Sequence, residues 1–346
     1  SPLRVRLAMQ LADELGLLDA PTTKLSPRPA TDAELLTVHT ADYVDAVKQC
    51  SRGDGPQEDV VHGLGTSDNP VFADMHGATS MVVGGAVVAA DAIATGQVNH
   101  AVHLAGGLHH SMPGHASGFC IYNDIAVGIR WLLANGAERV AYVDIDVHHG
   151  DGVENIFWND PRVLTVSVHV NGRHLFPGTG WPGDIGGPQA RGSSANVALP
   201  PGTTDAGWLR AIESVASPLV RAFAPDVLVT QHGCDTHLND PLAHFAITVD
   251  AQQRAHELLH DLSHEVAGGR WVALGGGGYE LVDVVPRSWA HLTAVAAHAP
   301  LSVDTPVPQE WRDHVTQLCG RVGPARMGDR PPGADPIWVQ PWNVGH

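Results

Sequence analysis

Two spacings of apolar residues alternate along the chain. Helical spacing runs through residues 5–18, with Leu7, Leu11, Leu15 and Leu18 on one face, and further helices are predicted over about 76–95, 124–135, 206–223 and 250–267. Between them lie short, nearly continuous apolar runs at 101–105, 140–145, 163–168, 227–229 and 271–274. Strand-like runs of this kind, alternating with helices, predict an α/β fold: a three-layer αβα sandwich with a mainly parallel sheet covered on both faces. No interior linker marks a boundary, so the 346 residues are expected to form one domain. The Pro- and Trp-rich stretch after about 324 is expected to be an extension laid over its surface.

Polar, glycine-rich clusters follow four of the runs. They are Gly106-Gly107-Leu108-His109-His110, the segment from Asp144 to Asp151, Gln231-His232-Gly233-Cys234-Asp235, and Gly275-Gly276-Gly277-Gly278-Tyr279. In a parallel sheet all four meet at the carboxyl edge, where ligands gather in open α/β folds. The segment Asp144-Ile145-Asp146-Val147-His148-His149-Gly150-Asp151 places three carboxylates and two imidazoles in eight residues behind a buried run. Buried charges require partners or a metal. Asp146 and His148, two apart, can point the same way, and Asp235 follows its own strand. Two carboxylates and one imidazole leave a metal coordination position open, as catalysis requires, and suit Fe²⁺ as well as Zn²⁺. Taken alone, the segment also reads as a salt-bridged turn.

The other clusters are open to two readings. His109 and His110 could each find a carboxylate in Asp144 or Asp151, which fixes the tautomer and raises basicity, or the pair could be incidental. The glycines before Tyr279 could form a simple tight turn, or let a substrate approach while Tyr279 donates to a developing oxyanion. A phosphate loop is disfavoured, because no Lys-Ser/Thr follows. Gly118-Phe119 and Phe176-Pro177-Gly178 could supply aromatic walls to a narrow channel for an aliphatic chain, or ordinary core rings.

Composition narrows the partners. The net charge of −17 argues against nucleic acid or an anionic membrane and favours a basic protein segment or a cationic amine. Most of the 22 histidines are expected at the surface. Cys50, Cys120, Cys234 and Cys319 form no CxxC pair, which suits a reducing, cytoplasmic setting and excludes a thiolate zinc site. The uncharged stretch 77–90 falls short of the roughly 20 apolar residues that span a bilayer and reads as a closely packed internal helix.

In order, the motifs GGLHH (106–110), ASGFCIYND (116–124), YVDIDVHHGDGVE (142–154), LFPGTG (175–180), QHGCDTHLNDPL (231–242) and GGGGY (275–279) resemble those of the zinc-dependent histone deacetylases. GLGTSDNPVF (63–72) is similar to the bacterial acetoin-utilisation branch. The resemblance runs from about residue 2 to 289 and implies the arginase/deacetylase fold. It implies zinc ligation by Asp146, His148 and Asp235, dyads His109–Asp144 and His110–Asp151, and Tyr279 as catalytic tyrosine. Gly118, Phe119, Phe176, Leu242 and Gly277 are implied to line the substrate channel. Asp68 is implied to grip the substrate backbone, and Arg4 to lie beside an internal acetate exit. A structural potassium ion is implied near Asp144, Asp146, His148, Ser167 and Val168. The chain starts at Ser1 without methionine, and the family's opening strand is expected upstream of it.

The activity implied is hydrolysis of N-ε-acetyl-lysine in proteins, with acetyl-CoA synthetase as the kind of substrate that the bacterial relatives suggest. Small acetylated amines or longer acyl-lysines are the alternative substrates. Leu242 stands where polyamine-selective relatives carry a glutamate, and His232, Cys234 and His237 depart from the commonest family residues. A binuclear manganese ureohydrolase of the same fold would need aspartates where this chain has Gly150 and His237. A non-catalytic acetyl-lysine binder would be expected to have lost a ligand, a dyad histidine or the tyrosine.

Overall fold

The computed structural model describes residues 2–242 and 244–331. Among these, six strands form one sheet: β1 (His100–His103), β2 (Val140–Asp144), β3 (Val163–Val170), β4 (Ser194–Leu199), β5 (Val227–Gln231) and β6 (Trp271–Leu274). The order is β1-β6-β5-β2-β3-β4, and every pairing is parallel. The five predicted apolar runs are β1 at one edge of the sheet and the four inner strands β6, β5, β2 and β3. The run at 101–105 is corrected to 100–103, because Leu104 begins the turn that carries the histidine pair. β4 was not predicted because at the sheet edge its buried positions are the polar Ser194 and Asn196, and its apolar residues are half-buried and form no continuous run.

Helices cover both faces. They are α1 (Pro2–Glu14), α2 (Asp32–Leu35), α3 (Ala41–Arg52), α4 (Met75–Ala94), α5 (Asp124–Ala134), α6 (Asp151–Phe157), α7 (Asp205–Ala211), α8 (Ser217–Phe223), α9 (Val249–Ala267), α10 (Val285–Ala296) and α11 (Gln309–Cys319). The predicted helix at 206–223 is two helices joined by a π-helical turn at Ile212–Ala216. Helix α10 went unpredicted because eleven of its twelve residues are buried, so it shows no polar face to set a period. One core layer joins the sheet to α7, α8, α9 and α10, and a second joins it to α4 and α5.

Helix α4, at 20 residues, is longer than the stretch read from sequence and is apolar enough to cross a bilayer. It packs inside the protein instead. A Cβ on its Gly84 would lie 1.6 Å from the Arg28 carbonyl oxygen, and one on Gly85 2.4 Å from the His103 ring. The four cysteines are free. In the predicted surface extension, residues 324–331 pack more tightly than expected: Pro306 bridges Arg326 and Met327 is buried. The remainder of that extension, residues 332–346, lies outside the described residues.

Candidate active site

Parallel register brings the four polar clusters to one edge. Asp144 ends β2 level with Gln231 of β5 and Ser167 of β3. Backbone bonds then knit the loops together: Gly275 N–H donates to the His103 carbonyl, and Cys234 N–H to the Gly277 carbonyl at 2.9 Å. Glycine is needed where these loops touch. At Gly107, with φ +96°, a Cβ would lie 2.7 Å from the Gly275 backbone. At Gly277 it would lie 1.9 Å from an Asp235 carboxylate oxygen.

Asp146, His148 and Asp235 converge there, all buried, with one donor atom from each within 4.8 Å of the others. Gln231 Nε2 and the Gly277 N–H donate to Asp146 Oδ2 at 2.8 and 2.9 Å. The Val147 N–H donates to Asp235 Oδ1 at 3.2 Å, whereas the buried Asp235 Oδ2 accepts no well-formed hydrogen bond and has only His148 Nδ1 beside it, at 3.3 Å. Burial and the nearby Asp146 push the Asp235 carboxyl up to about 7. Burial works against a charged His148, but the hydrogen bond to Asp146 and the adjacent Asp235 carboxylate outweigh it and lift the ring to about 10. Two repelling carboxylates, an imidazole aimed between them and an oxygen without a well-formed hydrogen bond together fit a divalent cation, whose charge would also draw His148 into its neutral, ligating form.

Each of the two adjacent histidines is paired with a carboxylate. His109 Nδ1 lies 2.7 Å from Asp144 Oδ2, and His110 Nδ1 lies 2.7 Å from Asp151 Oδ1. Their rings, 4.0 Å apart, have pKa values shifted in opposite directions. Burial disfavours the His109 cation, yet Asp144 and Asp146 outweigh it and raise the ring to about 9. Burial, reinforced by His109, lowers His110 to about 4. Burial and the same carboxylate field from Asp235 and Asp146 push the Tyr279 hydroxyl up, so it remains a donor at neutral pH.

The expected lining residues gather around this core. The Phe176 ring stands edge-on to His110 at 4.9 Å and lies 6.4 Å from His148, while Phe119 meets Tyr279 at 5.9 Å. Gly118, with φ +51°, lies between the walls: a Cβ there would fall 2.4 Å from the His110 ring and 2.9 Å from Phe176. Leu242 is exposed, and its N–H donates to Asp240, whose other oxygen accepts from the Tyr279 N–H. Asp68 is half-buried on a loop tied at His62 to Ala116, two residues before Gly118. Arg4, from α1, donates to the Gly278 carbonyl at 3.1 Å and stacks over Trp289 and Tyr279. Ser167 sits beside Asp144, its hydroxyl 2.8 Å from His169 Nδ1, and Val168 is buried next to it.

Several supporting residues were not singled out from sequence. Tyr142 donates to Asp144 Oδ2 at 2.6 Å, Gln231 holds Asp146, and Asp124 accepts from the N–H groups of Gly107 and Leu108. Asp240 holds the Tyr279 backbone. Each falls inside a motif already noted, so the available signal was a polar residue buried within an apolar or glycine-rich run.

The histone deacetylase domain matches residues 1–296. The acetoin utilization protein AcuC of Bacillus subtilis (strain 168) is 47% identical over 306 residues, covering 88% of this chain and 79% of that protein. AcuC of Staphylococcus aureus (strain MSSA476) is 37% identical over 329 residues, with coverage of 95% and 84%. Among solved structures, an HDAC homologue complexed with SAHA aligns with a TM-score of 0.82 at 29% identity, covering 95% of this chain and 89% of that one. An HDAC homologue from Aquifex aeolicus gives the same score and identity, covering 94% and 87%. The fold is therefore that of the arginases and deacetylases, and the chain belongs to the histone deacetylase family of hydrolases.

Proposed function

We propose that the protein is a zinc-dependent lysine deacetylase that hydrolyses N-ε-acetyl-lysine in proteins to acetate and lysine. The observation that carries this reading is the buried Asp146–His148–Asp235 group with a carboxylate oxygen that accepts no well-formed hydrogen bond, set beside two histidine–carboxylate pairs. Asp146, His148 and Asp235 would hold a divalent cation, which would supply Lewis-acid polarisation of the acetyl carbonyl and would acidify a water, to a pKa of about 7 in favourable zinc sites.

The chain's own groups then divide the proton work. Because Asp151 accepts from His110 Nδ1, the Nε2 of the neutral ring is a lone pair free to take the attacking water's proton. The same ring returns that proton to the departing lysine nitrogen, and the water's second proton, left on the acid, passes to the freed amine, so acetate and the lysine ammonium are released. His109, held cationic by Asp144 and its neighbours, offsets the negative charge that develops on the acetyl oxygen. Tyr279, a neutral donor anchored by Asp240, supplies a hydrogen bond to that oxygen. Phe119 and Phe176 hold the aliphatic stem of the lysine and exclude water, and Asp68 grips the peptide at the rim. Arg4 binds departing acetate. Asp144, Asp146, His148, Ser167 and Val168 would hold a potassium ion that would steady the loop, and Fe²⁺ would be a competent substitute for zinc in an oxygen-rich ligand set. The net charge of −17 suits basic protein segments, and acetylated metabolic enzymes such as acetyl-CoA synthetase are the proposed targets in the cytoplasm.

The test is acetate release from a fluorogenic acetyl-lysine peptide by the Zn²⁺-loaded protein, compared with Tyr279→Phe and His110→Ala. Activity in the native protein and loss in both variants supports the reading. Inactivity of the loaded native protein on acetyl-lysine and on longer acyl-lysines overturns it.

A further inference from the structure

Four imidazoles crowd together at the opposite end of the sheet. His100 opens β1, His260 and His264 sit one turn apart on α9, and His298 follows α10. Every pair of rings has centroids between 4.7 and 5.4 Å apart, and one nitrogen from each lies within 4.8 Å of the others. Trp271 forms the floor, edge-on to His100 and His260 at 5.7 Å. The cluster is open to solvent: His264 and His298 are exposed, His100 and His260 half-buried.

Proton accounting shows that these contacts do not satisfy one another. His100 Nδ1 lies 2.8 Å from the Ala296 carbonyl oxygen, which can only accept, so Nδ1 carries the hydrogen. His260 Nδ1 faces the Asp261 carboxylate at 3.3 Å in the same sense. In the neutral rings both Nε2 atoms are therefore lone pairs. His264 Nε2 lies between them, 3.1 Å from His100 Nε2 and 3.2 Å from His260 Nε2. A single N–H points at one neighbour only, and the other contact is left lone pair to lone pair. Adding protons resolves this only by setting imidazolium cations side by side.

A metal ion satisfies all three nitrogens at once. Tetrahedral zinc with Zn–N bonds of about 2.0–2.1 Å spaces its ligand nitrogens roughly 3.3 Å apart, close to the separations seen here. Metal-binding histidines also direct the remote ring nitrogen to a carbonyl or carboxylate, as His100 and His260 do. Gly269, with φ +82°, leaves room for the third ring: a Cβ there would lie 2.9 Å from His264.

We propose that His100, His260, His264 and His298 form a second divalent transition-metal site, selective for zinc-like ions that favour imidazole, separate from the catalytic cluster. The ion clamps the start of β1, the second half of α9 and the turn after α10.

The test counts Zn²⁺ bound to the full chain by calorimetric titration and by elemental analysis after gel filtration. Native protein is expected to hold two equivalents. The double variant His260→Ala/His264→Ala is expected to hold one, to keep its acetyl-lysine activity, and to lose the rise in Tm that accompanies the second equivalent. Asp235→Ala, altered at the other end, is expected to keep the histidine-site equivalent. His298→Ala, an exposed change outside any helix or strand, is expected to weaken that equivalent at least about tenfold. An equivalent count that the correctly folded double variant shares with native protein, whether one or two, overturns the proposal. The count does not depend on turnover, so it stands or falls independently of the deacetylase reading.

Discussion

The two ends of the sheet gather side chains able to hold a metal in opposite ways. At the carboxyl end, Asp146, His148 and Asp235 are all buried, whereas at the amino end four histidines remain half-buried or exposed. Charge balance explains the difference. Two carboxylates neutralise a dication, so such a group can be taken out of water, where an uncompensated charge would be costly. Four neutral imidazoles leave the dication's charge in place, and the site must stay near solvent. The burial of these two clusters thus parallels the formal charge of their donors. The buried end also gains a dry environment in which hydrogen bonds to a reacting oxygen are strong.

The largest expected effect that sharpens this contrast is Asp235→Ala. It removes one of the two neutralising carboxylates, so the buried metal equivalent should be lost. Several kcal/mol of transition-state stabilisation go with it, taking acetate release below detection. Retention of the buried equivalent would break the charge-balance account. Next is His110→Ala, for which kcat should fall by about 10²–10⁴-fold with metal content unchanged, the magnitude of a lost general base. Tyr279→Phe follows, at about 10²–10³-fold in kcat with little change in KM, because its hydrogen bond forms to charge that develops only during reaction. Gly118→Ala should cost about 1–3 kcal/mol through overpacking against His110 and Phe176, read as a lower Tm and a raised KM. Smallest of all is His264→Ala at the other end, which should leave kcat and KM for the acetyl-lysine peptide unchanged.

Legibility of these features in the sequence followed burial. The inner strands were readable because strands buried on both faces become continuous apolar runs, as in Val140-Ala141-Tyr142-Val143. Edge strand β4 and fully buried helix α10 were not, since one lacks such a run and the other lacks a polar face. The catalytic cluster was legible because charged residues behind a buried strand stand out. Asp124, Tyr142, Gln231 and Asp240 were not singled out, since each supports a functional residue through a bond that only folding creates. The histidine cluster was wholly hidden: His100, His260, His264 and His298 come from three segments up to 198 positions apart, and each alone looks like a surface imidazole.

The most direct test of the central claim is acetate release from an acetyl-lysine peptide by protein stripped of metal and then given back Zn²⁺. Activity should vanish on stripping, return with the ion, and fail to return in Asp235→Ala. Turnover that persists in the stripped protein, or native protein that stays inert with the ion bound at Asp146, His148 and Asp235, would contradict it.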